Sequence, residues 1–262
     1  MLSVSSDYHN IYVHREGKIH SSDVGIPVLG HVPFAIKKFE KLEGKYYFLD
    51  LESRVWCNSV VVGVGVRDFN ERFILYLDGR AVRRLKNSVV DIDIPVAKLI
   101  HDLLLDVEGN LYDSEGQHLL SHVIEAHTDG NEIIAVKRDG TVEYVGDYTD
   151  NELGLETILR AGGVKKAVVS DGTVLLLSHQ GQLIGSGANR HYECGIDMGV
   201  VVDWIQYLDF PYQVVDFDFR WGVGWALLNN GEVWVWGQNR EEELKFLQWE
   251  KEEFVSVRKL VV

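Results

Sequence analysis

The sequence predicts an all-β fold, a seven-bladed β-propeller that fills residues 1–262 as a single domain. Three observations predict it. A nine-residue frame ending in a turn residue recurs seven times. Apolar residues in and just after each frame repeat with period two. The chain also holds 25 glycines against 4 prolines, which suits many strands joined by tight turns.

The frames are HNIYVHREG ending at Gly17, KYYFLDLES at Ser53, ERFILYLDG at Gly79, HDLLLDVEG at Gly109, EIIAVKRDG at Gly140, TVLLLSHQG at Gly181 and VGWALLNNG at Gly231. Six residues before the turn stand Ile11, Tyr47, Phe73, Leu103, Ile134, Leu175 and Trp225. Four before it stand Val13, Leu49, Leu75, Leu105, Val136, Leu177 and Leu227. Two after it stand Ile19, Val55, Ala81, Leu111, Val142, Leu183 and Val233. All 21 are apolar, the pattern of a strand with one buried face. Turn pairs such as Asp78-Gly79, Asp139-Gly140 and Asn230-Gly231 supply the positive φ of a tight hairpin. Val60–Val66 (VVVGVGV) and Val214–Phe219 (VVDFDF) also alternate and predict a third strand ahead of a hairpin.

The turns are 36, 26, 30, 31, 41 and 50 residues apart. A blade-sized unit repeated seven times points to radial closure, which leaves few exposed sheet edges. The 26-residue spacing predicts a blade with fewer than four strands. Only Met1-Leu2-Ser3-Val4 precedes the first hairpin, and no hairpin follows FVSVRKLVV (Phe254–Val262). Joined head to tail, the two ends complete one repeat. Val255–Val262 is therefore expected to pair into the blade that the N-terminus begins.

Charge narrows the partners. Lys and Arg number 26 and Asp and Glu 40, a net −14. Such a surface repels phosphate backbones, so no direct nucleic-acid binding is expected, and a protein with a basic surface is favoured. No run approaches the length of a membrane span. The N-terminus MLSVSSDYHN lacks the basic and apolar regions of a secretory signal. Cys57 and Cys194 are too few for a disulfide framework. An intracellular protein, cytoplasmic or nuclear, is expected.

Three stretches carry a resemblance: Ala226–Asn239 (ALLNNGEVWVWGQN), Leu175–Gly195 (LLLSHQGQLIGSGANRHYECG) and Ala135–Gly154 (AVKRDGTVEYVGDYTDNELG). They resemble the regulator of chromosome condensation repeat. In that family a turn Gly follows an apolar strand, a second strand ends in Trp-Gly, an Asn commonly follows, and a Gln-Leu-Gly closes the unit. Trp236-Gly237 with Asn239 match fully. Val145-Gly146 with Leu153-Gly154, and Ser186-Gly187 with Asn189 and Gly195, match in part. His9 and His101 stand eight residues before their turn Gly, where the family often has His. The first four repeats lack the Trp-Gly. The repeats are compact, like those of the bacterial β-lactamase inhibitor protein II. The resemblance implies seven blades and protein partners. It also raises two alternatives: guanine nucleotide exchange on a Ran-like small GTPase, and chromatin association.

No catalytic constellation accompanies the frame. His118, His122 and His127 are the nearest approach to a metal cluster and read more simply as loop and strand residues. Asp91/Asp93 and Asp216/Asp218 have strand spacing and read as solvated faces rather than acid–base pairs. His191 lies three residues from Cys194, but a local pair is not a triad. There is no phosphate loop and no nucleophile elbow. The expectation is a non-enzyme without cofactor or metal, working as an interaction, scaffold or inhibitor module and open to membership of a larger assembly. An enzyme with a site in the propeller channel is the rival. Six of seven tryptophans follow residue 200, where the longest inter-turn stretch also lies. Arg190, His191, Tyr192, Trp204, Tyr207, Phe210 and Tyr212 form the candidate contact surface, since such residues anchor interfaces. The spacing of three between Trp204, Tyr207 and Phe210 equally fits a helical turn packed on the propeller edge.

Overall fold

The computed structural model describes residues 2–6, 11–15, 18–21, 36–42, 44–57, 60–85, 88–147, 163–170, 172–189, 193–194, 202–220, 222–238 and 254–260. Within them the chain is all-β, with twenty-six strands in seven separate sheets. Sheet 1 holds β1 (Leu2–Ser6), β2 (Ile11–Arg15) and β3 (Lys18–Ser21). Sheet 2 holds β4 (Ile36–Leu42), β5 (Lys45–Asp50), β6 (Val55–Cys57) and β7 (Val60–Gly63). Sheet 3 holds β8 (Val66–Phe69), β9 (Phe73–Tyr76), β10 (Ala81–Leu85) and β11 (Ser88–Ile92). Sheet 4 holds β12 (Val96–Ile100), β13 (Leu103–Asp106), β14 (Leu111–Tyr112) and β15 (His118–Leu120). Sheet 5 holds β16 (Val123–Thr128), β17 (Ile133–Lys137) and β18 (Val142–Val145). Sheet 6 holds β19 (Val164–Ser170), β20 (Thr173–Ser178), β21 (Leu183–Gly187) and β22 (Val202–Tyr207). Sheet 7 holds β23 (Val214–Arg220), β24 (Val223–Leu228), β25 (Val233–Gln238) and β26 (Phe254–Leu260). In every sheet the strands neighbour one another in chain order.

Three expectations change. The run Val60–Val66 is not one strand: β7 ends sheet 2 and β8 begins sheet 3, with a bend at Gly65, whose φ is +67°. The close spacing of Ser53 and Gly79 costs no strand, because β6 and β7 are short, and sheets 2 and 3 both have four. The C-terminal strand does not join the N-terminal sheet. β26 pairs antiparallel with β25, Val233 facing Leu260 and Gln238 facing Phe254. Leu2–Ser6 is a strand in its own right, and the β24–β25 hairpin leaves an open edge that β26 fills.

The chain divides into two compact units, one of Met1–Asp7, Val13–Ile19 and Pro27–Val123, the other of Tyr8–Tyr12, His20–Ile26 and Ile124–Val262. In the first, Leu42, Leu49 and Val55 of sheet 2 pack with Val66 and Phe69 of sheet 3. Phe73, Leu75 and Ala81 of sheet 3 pack in turn with Val96, Leu99 and Leu104 of sheet 4. In the second, Ile134, Val136 and Val142 of sheet 5 meet Val169, Val174 and Leu176 of sheet 6. Leu175, Leu177 and Leu183 of sheet 6 meet Phe217, Phe219, Leu228 and Trp236 of sheet 7. β13 and β20 are therefore buried on both faces, not one, with every residue of each strand buried. Each such Leu or Val contributes about 1.5–3 kcal/mol by leaving water. Of the frame residues whose burial is described, all are buried except Tyr47 and Leu227, which are half-buried.

The hairpin turns behave as the frame requires. Gly79, Gly109, Gly140, Gly181 and Gly231 have φ between +78° and +92°, and Ser53 adopts +62° in the equivalent place. Two side-chain devices hold these turns. At Asp78, Asp139 and Asn230 a side-chain oxygen accepts the N–H two residues on. At Asp50 and Asp106 a buried carboxylate three residues before the turn residue does more. Asp106 Oδ1 accepts from the backbone N–H of Glu108 and Asn110, and Oδ2 from Asn110 Nδ2 and Tyr112 OH. Asp50 repeats this with the N–H of Glu52 and Arg54, Arg54 Nε and Trp56 Nε1.

First strands are joined across sheets. A register shift sits at the same place in β4, β8, β12, β19 and β23. Lys38 Nζ on β4 donates to Asp68 Oδ1 on β8 at 2.8 Å and lies over the Phe69 ring, while Lys37 Nζ donates to Arg67 O. In the other unit Lys166 Nζ on β19 donates to Asp216 Oδ1 on β23 at 2.8 Å and lies over Phe217, while Lys165 Nζ donates to Val215 O. Burial pushes the pKa of both Lys38 and Lys166 down, and the facing carboxylates outweigh it, holding both above the ordinary lysine value. The equivalent residues of sheets 2 to 7 are Lys38, Asp68, Lys98, Glu125, Lys166 and Asp216, alternating in sign.

Candidate partner-binding surface

The segments flanking β21 and β25 carry the candidate surface, and their entry is fixed by packing. Trp236 is fully buried, and its Nε1 donates to Glu193 O at 2.9 Å. A Cβ on Gly224 would stand 2.2 Å from Trp236 Cε2, so only glycine lets the indole lie on β24. Gly237 has φ +104°, and a Cβ there would stand 1.9 Å from Gly222 O. Gly187 repeats this, with φ +92° and Gly172 O at 2.2 Å. Asn189 is fully buried and accepts the Cys194 N–H through Oδ1 at 2.9 Å. The Trp-Gly and Asn positions thus serve the scaffold.

The seven candidate contact residues meet different fates. Arg190, His191 and Tyr192 lie outside the described residues. Trp204 and Tyr207 belong to β22, which pairs with β21 through Ile184 and Tyr207, Gly185 and Gln206, and Gly187 and Val202. The segment is a strand, not a helical turn; the side chains of β22 are outside the described residues. Phe210 faces inward, edge-on to Trp234 at 5.9 Å and tilted against Trp236 at 6.2 Å. Tyr212, two residues on, is 52% exposed. Trp225, Trp234 and Trp236 pack within sheet 7. Beside them Trp234 Nε1 donates to Glu232 Oε2, and Lys259 Nζ bridges to Glu232 Oε1 at 2.6 Å.

Several of the groups considered for chemistry are engaged in structural contacts. His118 Nε2 is 2.9 Å from Ser121 Oγ and its ring stands edge-on to Tyr112. His127 is buried in β16, far from a loop role: Nδ1 accepts the Val169 N–H at 3.3 Å, and Nε2 lies 3.8 Å from Asp218 Oδ1. Among the described residues no group of three or more His, Cys, Asp or Glu could hold a metal ion. Burial, with the Glu193 charge adding to it, pushes the Cys194 thiol far above its ordinary value, so it stays protonated and unreactive. Asp91 is exposed and pairs with Arg80 at 3.5 Å. Burial also raises Glu132, whose oxygens accept from Tyr144 OH and the Gly172 N–H and tie sheet 5 to sheet 6.

No protein-family model matches the chain, and no curated protein sequence matches it. Solved structures do match. Yeast RCC1 (Prp20), in its crystal structure with bound Kap60, superposes with a TM-score of 0.61 at 14% identity, over 83% of this chain and 73% of that one. Prp20p from Saccharomyces cerevisiae gives 0.58 at 14% identity, over 99% and 76%. Human WBSCR16 gives 0.56 at 15% identity, over 100% and 82%. The fold is an RCC1-like β-propeller. Among the described residues of this RCC1-like propeller, no helix is long and apolar enough to cross a membrane.

The structural roles of several residues of the propeller, among them His127, were not legible in the sequence. Asp50, Asp106, His127, Lys38 and Lys166 all do polar work inside or between sheets. A signal existed. Aligning the first strands, rather than the turns, sets Ile36-Lys37-Lys38-Phe39, Val66-Arg67-Asp68-Phe69, Val123-Ile124-Glu125-Ala126, Val164-Lys165-Lys166-Ala167 and Val214-Val215-Asp216-Phe217 in one register.

Proposed function

We propose that this chain is a non-enzymatic, protein-binding propeller, one domain of seven blades, that recognises a protein partner through the segments between its strands. The observation that carries the reading is a division of labour around sheet 7. Gly224, Trp236, Gly237 and Asn189 are consumed by packing, while Tyr212 beside them is left to solvent. Rigid scaffolds that present aromatic loop residues are well suited to binding. The likeness to yeast RCC1 (Prp20), which was crystallised with Kap60 bound, supports a protein partner. The net charge of −14 favours a basic surface on that partner and disfavours direct nucleic-acid contact, and an intracellular setting fits the two free cysteines, Cys57 and Cys194.

The likeness to Prp20p, described with its binding properties to Gsp1p and histones, favours two narrower readings. One is exchange on a Ran-like small GTPase; the other is histone contact, for which an acidic chain is suited. The test is affinity capture from the native source at low and moderate salt, read by mass spectrometry, with wild type beside Tyr212→Ala/Trp204→Ala of matched melting temperature. A partner held by wild type and lost by the variant supports the reading and its surface. Capture of nothing specific at either salt overturns it. A nucleotide-free GTPase in the captured set puts exchange first.

A further inference from the structure

We propose that the hairpin turns of sheets 2, 3 and 4 form a docking arc for a basic, amphipathic segment of a protein partner, one that sets apolar side chains beside Lys or Arg. The inference rests on the protein-binding reading above and adds a second contact surface to it. The position two residues before the turn residue is exposed in every sheet from 2 to 7. Sheets 5, 6 and 7 fill it with Arg138, His179 and Asn229, so the fold makes no demand for an apolar side chain there. Sheets 2, 3 and 4 fill it with Leu51, Leu77 and Val107, which are 56%, 62% and 67% exposed. Val64, which leads into β8, is 67% exposed. A lone exposed leucine is ordinary, but an apolar residue at the same exposed position on three successive sheets makes a patch, and such patches mark contact sites.

These residues stand together within one compact unit. The Val66 N–H donates to Ser53 O at 3.0 Å, joining the turn of sheet 2 to the start of β8. The Leu77 N–H donates to Gly65 O at 2.8 Å, joining the start of β8 to the turn of sheet 3. Ala81, just past that turn, packs in one cluster with Val96 at the start of β12, and the Val107 N–H donates to Pro95 O at 3.2 Å. The arc thus runs from Leu51 through Val64 and Leu77 to Val107. Charge selects its occupant. Leu51, Leu77 and Val107 are each followed by an exposed carboxylate, Glu52, Asp78 and Glu108, and Asp93 is exposed on the way into β12. The arginines after the turns are claimed within the chain. Arg54 is bound to buried Asp50 at 2.7 Å and to Glu52 at 2.9 Å, while Arg80 lies over the Tyr76 ring and pairs with Asp91. Lys37 and Arg67 stand on the first strands β4 and β8, with Lys37 Nζ bound to Arg67 O. Cations spaced between apolar side chains match this pattern, and an acidic segment or an anionic membrane is opposed by it.

The test is fluorescence anisotropy of end-blocked, labelled peptides titrated with the full chain at about 0.05 and 0.5 M NaCl. The probes are alternating leucine–lysine, leucine–glutamate and serine–lysine peptides of equal length. At low salt the leucine–lysine peptide is expected to bind with Kd on the order of 10–100 µM, and each of the others at least about tenfold more weakly. Leu51→Ser/Leu77→Ser/Val107→Ser, whose side chains are exposed, is expected to keep its melting temperature and to bind about tenfold more weakly. Glu52→Gln/Asp78→Asn/Glu108→Gln is expected to weaken binding at low salt and to lose the salt dependence. Glu71→Gln/Asp139→Asn/Glu143→Gln removes as much charge elsewhere and is expected to bind as wild type does. Four results overturn the proposal: no binding of the leucine–lysine peptide, equal binding of the serine–lysine peptide, unaltered binding by the serine variant, or an equal loss in the Glu71 variant. So do neutral phosphatidylcholine vesicles that wild type binds and the serine variant does not, since they assign the arc to a lipid surface. A native partner captured as above while the leucine–lysine peptide fails overturns the arc alone and leaves the protein-binding reading standing.

Discussion

The backbone N–H of Val169 on β19 donates to Nδ1 of His127 on β16 across 3.3 Å, so that nitrogen must be unprotonated in the folded chain. Asp218 Oδ1 on β23 stands 3.8 Å from the other ring nitrogen, which brings three sheets to one imidazole. Burial, and then the charges of Arg220 and Lys166, hold the His127 pKa well below its ordinary value.

That depression fixes a pH dependence. The unfolded histidine takes up a proton near pH 6.5 and the folded one does not, so the unfolded state binds more protons below that pH. The contribution is complete above pH 6.5 and is lost as pH falls, by up to about 1.4 kcal/mol per pH unit until the folded group titrates. Denaturation between pH 8 and pH 5 should show a steeper loss in wild type than in His127→Gln. Equal slopes would remove His127 from the account.

Two glycines separate backbone strain from steric overlap. Gly231 has φ +84° with open space around it, so Gly231→Ala should cost about 1–2 kcal/mol. Gly237 adds an overlap with Gly222 O, so Gly237→Ala should cost about 3 kcal/mol or more. Urea denaturation of both variants measures the gap; equal costs would show that the Gly222 backbone yields.

The turn carboxylate Asp106 accepts four hydrogen bonds. Burial pushes its pKa up, and the Asn110 and Tyr112 donors more than reverse this, leaving it below the ordinary value. Its contribution is therefore present above about pH 3.9 and is lost as pH falls through the folded pKa. Asp106→Ala should lose about 2–3 kcal/mol at neutral pH by stranding those donors. A loss under about 0.5 kcal/mol in equilibrium unfolding would show that water replaces the carboxylate.

The Lys166–Asp216 bridge is partly open to solvent and its worth is correspondingly small. A double-mutant cycle with Lys166→Met and Asp216→Asn should give a coupling near 1 kcal/mol or below, shrinking with salt. No coupling at low salt would leave the Phe217 contact as the reason for the lysine.

The hairpins were legible because two local demands coincide in each frame: period-two apolar residues, and a turn residue able to take positive φ, which even Ser53 meets. Strand boundaries were less legible where the period runs on through a bend, as it does from Val60 across Gly65 to Val66. The place of β26 was not legible, because it depends on which distant edge is open. The candidate surface shows the same limit. Phe210 and Tyr212 look alike in the sequence, yet Trp234 receives one ring and solvent the other.

The alternation of Lys38, Asp68, Lys98, Glu125, Lys166 and Asp216 bears on how such a chain can gain or lose length. Excising residues 66–92 would bring Lys38 to face Lys98, and excising residues 164–207 would bring Glu125 to face Asp216. Excising two neighbouring repeats together keeps a cation opposite an anion at the new junction. The chain is written in couplets: removal of two repeats preserves the pairing of opposite charges, and removal of one breaks it.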